Sequence, residues 1–250
     1  MGDTKQILKH IRCGKGDIAP YILFPGDPGR VERIVQQMDS AAKIAQNREY
    51  VVYTGSYKGA DITVCSSGIG GPAASIAIEE LAKLDAKVFI RVGSAGGRQK
   101  DIPIGTPVVI NAAYRGEGTS KAYLPVEYPA VADLAVTNAL VQALGDAEQT
   151  FHVGVGFTRD AYYVQDQDLN ALLTDTGIKA AEQEAACLFI LGAVRGIKTG
   201  AIVSTDSNIW LETQPTLEEK ERLYFKGEKI VIRAALDAAA ILNRDGAHVF

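Results

Sequence analysis

A single α/β domain is the fold class that the sequence predicts, on three observations. Short β-rich runs alternate with longer amphipathic or alanine-rich ones along the chain. Most of the short runs end at Gly, Ser, Thr or Asp. No linker, internal repeat, low-complexity tract or run of like charge interrupts the 250 residues, so 1–250 reads as one domain. Length alone does not decide this, because 250 residues also suffice for two small domains.

Taken in order, strands are predicted at "YILFPG" (21–26), "YVVYTGSY" (50–57), "ADITVCSSG" (60–68), "AKVFIRVGS" (86–94), "TPVVINAAY" (106–114), "TFHVGVGFT" (150–158) and "KTGAIVSTDS" (198–207). Helices are predicted over roughly 71–84, 131–145, 185–195 and 216–243. The first starts after glycines and carries Pro72 near its first turn. Gly196 follows Arg195 as a helix stop.

Composition excludes several classes. With 47% hydrophobic residues, 22% charged and a net charge of −4, the chain has no basic excess for nucleic-acid binding, so an anionic ligand must be held by local cations. Cys13, Cys65 and Cys187 are odd in number and far apart, which supports neither a disulfide framework nor a zinc site and suggests a reducing, cytoplasmic setting. The first residues lack an apolar leader and no stretch is long enough to span a membrane, so no membrane partner is expected.

In open α/β sheets ligands collect beyond the carboxyl ends of strands, which directs attention to "FPGDPGR", "SSGIGGP", "IRVGSAGG" and "STDSN". "PGDPGR" is either a tight turn or an anion site, with a close backbone approach at Gly26 and a fork of donors from Arg30. Arg91 sits among apolar neighbours in a strand, where a guanidinium needs a partner: a structural ion pair or a bound anion, with Ser94 and Gly96 following. Neither dinucleotide nor P-loop fingerprints occur, so free phosphate suits these glycine-rich ends better than a dinucleotide.

"AAEQEAA" (180–186) raises a geometric choice. If it is extended, Glu182 and Glu184 share a side; if helical, they stand about 200° apart. The apolar helix beginning at Ala185 would place both at its N-terminus, as an ordinary acidic first turn or as a carboxylate pair able to accept from a cis-diol. Asp206, at a strand end, reads as a cap or as a general acid. His10, His152 and His248 complete no nucleophile–base arrangement, and Trp210 reads as core or as a stacking residue.

Eight segments, "HIRCGKGDIAPYILFPGDPGR", "NREYVVYTGSYKG", "SSGIGGPAASIAIEEL", "VFIRVGSAGG", "EYPAVAD", "TRDAYYVQD", "AEQEAA" and "VSTDSN", resemble in order and spacing the hexameric nucleoside phosphorylases. That family includes purine nucleoside, uridine and methylthioadenosine phosphorylases, and the resemblance spans about residue 10 to about residue 243. It implies a mixed β-sheet partly closed into a barrel and surrounded by helices, in a homo-hexamer built as a trimer of dimers. It implies phosphate binding by Gly26, Arg30, Arg91 and Ser94, joined by Arg48 of the neighbouring subunit. His10 would also reach the neighbour's site, toward the ribose 5′ end. Glu184 would take the ribose 2′ and 3′ hydroxyls, with Glu182 and Gln183 beside it; Ala95, Gly96 and Tyr162 would line the base, Asp206 would protonate purine N7, and Arg222 would be a helper arginine.

The implied reaction is phosphate-dependent cleavage of purine (deoxy)ribonucleosides to free base and (deoxy)ribose 1-phosphate, with inorganic phosphate as co-substrate and neither metal nor organic cofactor. The alternatives are a uridine phosphorylase or a non-catalytic nucleoside-binding protein. Familiar bacterial uridine phosphorylases carry Gln-x-Arg after the aromatic pair, whereas "YYVQDQDLNALL" offers Gln165 and Gln167 but no arginine. That absence and Asp206 favour purine; against this, "GIGGP" and "PVEYPAVAD" look at least as much like uridine phosphorylase. Gln183 replaces the family's methionine between the glutamates, adding a polar group that needs a partner.

Overall fold

Strand pleating lets one sheet serve two apolar layers in this chain, of which a computed structural model describes residues 6–246. His248 lies outside the described residues. The elements are β1 (Tyr21–Pro25), α1 (Pro28–Val35), β2 (Ser40–Asn47), β3 (Tyr50–Tyr57), β4 (Ala60–Cys65), α2 (Gly71–Ala82), β5 (Val88–Gly97), β6 (Pro107–Gly116), α3 (Thr119–Tyr123), β7 (Ala130–Val131), α4 (Leu134–Asp146), β8 (His152–Arg159), α5 (Gln167–Asp175), β9 (Ala180–Glu182), α6 (Ala185–Arg195), β10 (Lys198–Asn208) and α7 (Leu217–Arg244).

Side chains alternate across each strand, so Ile22 and Phe24 of β1, Phe89 of β5 and Val203 of β10 join the layer containing α2 and α6. Tyr21, Leu23, Val88, Ile90 and Ile202 face the opposite layer, with α1, α4 and α7. The strands form one sheet in the order β10-β6-β8-β9-β5-β1-β4-β3-β2, with β7 added beside β6. β10 also pairs with β5, so β5, β9, β8, β6 and β10 close into a barrel within the larger sheet, as expected. β1, β5 and β10 run parallel and deliver their carboxyl ends to the same edge. No helix among the described residues is long and apolar enough to cross a membrane.

The seven predicted strands and four predicted helices are all present, with ends displaced by a few residues. Gly196 does stop α6, in the left-handed conformation at φ 66°. α7 opens on a reciprocal capping box between Thr216 and Glu219. The elements not foreseen have weak or local signals. β2 is exposed along most of its length, so no alternating pattern marks it. α1 begins inside "PGDPGR", which the sequence leaves as a turn or an anion site: Asp27 caps it by accepting from the Gly29 amide at 2.8 Å, with Pro28 at its first position. α5, capped by Asp166, lies between the predicted strand 150–158 and helix 185–195, and α3 and β7 are short.

Candidate active site

A cavity of about 1170 Å³ opens where the carboxyl ends of β1, β5 and β10 meet the β9–α6 junction. Of the residues predicted for the site, it gathers Gly26, Arg30, Arg91, Ser94, Ala95, Gly96, Tyr162, Glu182, Gln183, Glu184 and Asp206.

Two buried arginines, Arg30 and Arg91, line it. Arg30 lies in the first turn of α1, where Nε donates to Glu228 Oε1 (2.7 Å), Nη1 to the Val92 carbonyl (2.9 Å) and Nη2 to Tyr224 Oη (2.5 Å). Arg33 donates to the second Glu228 oxygen at 2.6 Å. Burial pushes the Glu228 carboxyl up, but hydrogen bonds from Arg33 and Arg30 outweigh it and hold the group below the usual glutamate range. Burial raises the Tyr224 phenol to about 12, so it stays protonated.

Arg91 is only 3% exposed and stands between the two glutamates. Its Nε donates to Glu182 Oε2 at 2.9 Å, and its Nη2 meets Glu184 Oε2 at 2.6 Å. Its Nη1 is buried with no hydrogen-bond partner, a donor left available to a ligand. Gly93, two residues on and therefore on the same strand face, gives the guanidinium room: a Cβ there would stand 2.8 Å from Arg91 Nη2. Burial works against the Arg91 charge, but Glu184 and then Glu182 raise its pKa above the ordinary arginine value.

The extended reading of "AAEQEAA" holds through Glu182, where β9 ends, and Glu184 caps α6 in a non-helical conformation. The two carboxylates therefore meet on one guanidinium, and they are held differently. Glu182 accepts from Thr158 Oγ1 (2.5 Å) and Arg91, and from the amides of Glu184 (2.7 Å) and Ala185 (2.8 Å). Four donors saturate it, so its task is to fix Arg91 and the start of α6. Glu184 accepts from Arg91 and from the Gly70 amide at 2.5 Å, which leaves acceptor capacity facing the cavity. Gly70 presents that amide from φ 88°, a conformation that side chains rarely adopt. Burial pushes the Glu184 carboxyl up against the opposing charge of Arg91.

Tyr162, Tyr163, Gln165, Arg98, Arg159 and Asp206 also line the cavity. Asp206 is the extra residue of a β-bulge: Thr205 pairs with Ala95 and Ser207 with Gly96, so the carboxyl is re-aimed at the cavity. Ser207 Oγ donates to it at 2.7 Å. Tyr162 is 54% exposed, and the Arg159 guanidinium lies 5.8 Å from its ring centroid. Gln183 finds the partner it needs, since its amide donates to the Asp160 carbonyl at 2.9 Å.

Three predicted residues lie outside this chain's cavity. Arg222 is exposed on the first turns of α7 and is not among the residues that line this cavity. Arg48 is exposed at the β2–β3 turn, and His10 is bound to Glu80, with Nδ1 and Oε1 2.7 Å apart. Arg98, Arg159 and Glu49 line the cavity without having been foreseen. The available signal for the first two was their place after predicted strands, Arg159 directly after 150–158 and Arg98 four residues beyond 86–94.

The phosphorylase superfamily model matches residues 20–241. The chain is 41% identical over 241 residues to a uridine phosphorylase of Thermococcus kodakarensis, covering 91% of this chain and 87% of that protein. It is 40% identical over 225 residues to a guanosine phosphorylase of Halorubrum lacusprofundi, covering 90% and 93%. The crystal structure of uridine phosphorylase from Vibrio fischeri ES114 is similar at a TM-score of 0.85 and 35% identity, over 95% of this chain and 98% of that one.

Proposed function

The chain belongs to the phosphorylase superfamily, and on that premise we propose that it cleaves the N-glycosidic bond of uridine with inorganic phosphate, releasing uracil and ribose 1-phosphate. It is an enzyme of the nucleoside phosphorylase type, a pentosyltransferase. The observation that carries the mechanism is Arg91, whose guanidinium joins an anion site shared with Arg30 to the ribose-accepting Glu184 and keeps one buried donor free.

In this reading phosphate lies against Arg30, Arg91 and Ser94 with an oxygen toward C1′. The ribose 2′ and 3′ hydroxyls donate to Glu184. As the C1′–N bond breaks, the base departs with the bonding pair and positive charge develops on the sugar, where the clamped phosphate stabilises it. A phosphate oxygen then bonds to C1′, and the proton of hydrogenphosphate balances the one the base takes up. Phosphate is the co-substrate, and no cofactor enters this reaction. Arg48 and His10 lie outside their own cavity, which suits donation to a neighbouring subunit's site in a homo-hexamer. Cys13, Cys65 and Cys187 are buried and form no disulfide, which accords with a cytoplasmic enzyme.

The uridine reading revises the purine expectation. Relatives named for uridine and for guanosine match almost equally well, and the missing Gln-x-Arg weighs less once Arg98 and Arg159 line the cavity from other segments. A second reading, guanosine phosphorolysis, is favoured by Asp206, which lines the cavity where a purine N7 could take its proton. Incubation with uridine, guanosine and adenosine, with and without phosphate, tests both. Faster phosphate-dependent loss of uridine is expected; faster loss of guanosine transfers the assignment to the second reading, and preference for adenosine overturns both.

A further inference from the structure

The buried arginines of the described residues are Arg30, Arg91, Arg98 and Arg115. Arg30 and Arg91 are held by carboxylates, and Arg115 donates to Ser120 and to the carbonyls of Pro125, Tyr128, Ser120 and Leu124. Arg98 differs. It is 5% exposed, its side chain makes no hydrogen bond or ion pair, and its Nε and Nη1 are buried without a partner. It follows Gly96 and Gly97 at the end of β5 and lines the cavity that Tyr162 also lines. Arg159, the second cation there, pairs with no carboxylate and donates only to the Val164 carbonyl at 3.3 Å. Burial and then the Arg159 charge lower Arg98 to about 10, which still leaves it charged near neutral pH.

A buried guanidinium with no partner is costly to fold, and its donors call for an acceptor that arrives with the ligand. For Arg30 and Arg91 that acceptor is phosphate; for Arg98 it is the base. We propose that Arg98, supported by Arg159, selects nucleobases whose far edge carries an oxo group, uracil O4 or 6-oxopurine O6, over bases with an amino group there. This deepens the phosphorolysis reading and rests on its placement of the base. Guanidinium only donates, so a carbonyl oxygen satisfies it, whereas the amino group of cytosine or adenine is itself a donor. The base also gathers negative charge as it leaves, and part of that charge resides on the same oxygen, so the hydrogen bond strengthens in the transition state. Uracil and guanine, the bases of the relatives' named substrates, share this carbonyl.

The test is equilibrium binding of uracil and cytosine, in the presence of phosphate, to the wild type, R98M and R98K, together with phosphate-dependent turnover of uridine and cytidine. The wild type should prefer uracil. R98M should weaken uracil binding on the order of 100-fold and bring the uracil-to-cytosine ratio close to one, while R98K recovers part of the preference. If R98M fails to fold, R98Q provides the same reading. A ratio unchanged by the substitution, or a wild type without preference, overturns the inference. Uracil binding that depends on Arg98 in a protein without phosphate-dependent turnover overturns the phosphorolysis reading and leaves this inference standing.

Discussion

Glu228 is a buried carboxylate that holds Arg30 and Arg33 together, and through Arg30 it sets one side of the anion site. Its pKa is depressed in the folded state, so the stability it contributes is present above the ordinary glutamate value and is lost as pH falls through the lowered one. E228Q should cost about 3 kcal/mol near neutral pH, because Arg30 keeps its burial and loses its counter-charge. The gap between wild type and variant in urea unfolding should narrow below about pH 4, and a gap of constant size from pH 7 to pH 3 would contradict this account. The phosphate KM should rise roughly tenfold as Arg30 loosens, with the nucleoside KM little changed. Single residues were the most readable scale of the site wherever chemistry forced a partner: a charged Arg91 within an apolar strand had to be explained. Glu228 and Tyr224 could not be read, since they sit about 200 residues away from Arg30 on a helix whose relation to α1 only the fold supplies.

At the scale of elements, position comes from irregularities. The β10 bulge spends one residue without a partner, and that residue is Asp206. Asp206→Asn keeps the side-chain shape but removes the acid. Guanosine turnover should fall on the order of 100-fold and uridine turnover by no more than a few-fold. Equal losses on both substrates, measured as kcat/KM at saturating phosphate, would show that Asp206 has a structural role and does not protonate a purine. Strong periodic signals, such as the apolar run of α6 between Glu184 and Gly196, were recoverable from sequence because cap, pattern and stop agree. The bulge was not, because an extra residue in a strand leaves the composition of "VSTDSN" unaltered. Likewise β2 buries little within this chain, so its sequence carries little alternation to read.

At the scale of the whole molecule, some matching motifs stay outside the cavity. His10 and Arg48 keep their motif positions but do not line their own chain's cavity, and Arg48 is exposed one residue before Glu49, which does. If Arg48 acts in the neighbour's site, R48A and R91A should each be nearly inactive alone, and mixing them under subunit exchange should regenerate activity. Each mixed dimer would then hold one site with both arginines and one with neither. Mixtures no more active than their components would place Arg48 outside the reaction. The barrel and its mixed sheet followed from the family resemblance rather than from residue patterns, since closure depends on β10 pairing with β5 over a long separation in sequence.

The central claim is that phosphate, held by Arg30 and Arg91, is the nucleophile at C1′. Phosphorus NMR of the protein incubated with uridine and phosphate tests it most directly. A new phosphate-ester signal of ribose 1-phosphate, growing in step with free uracil and absent when Arg91 is replaced by methionine, is the expected result. Free ribose appearing at the same rate without phosphate would contradict it.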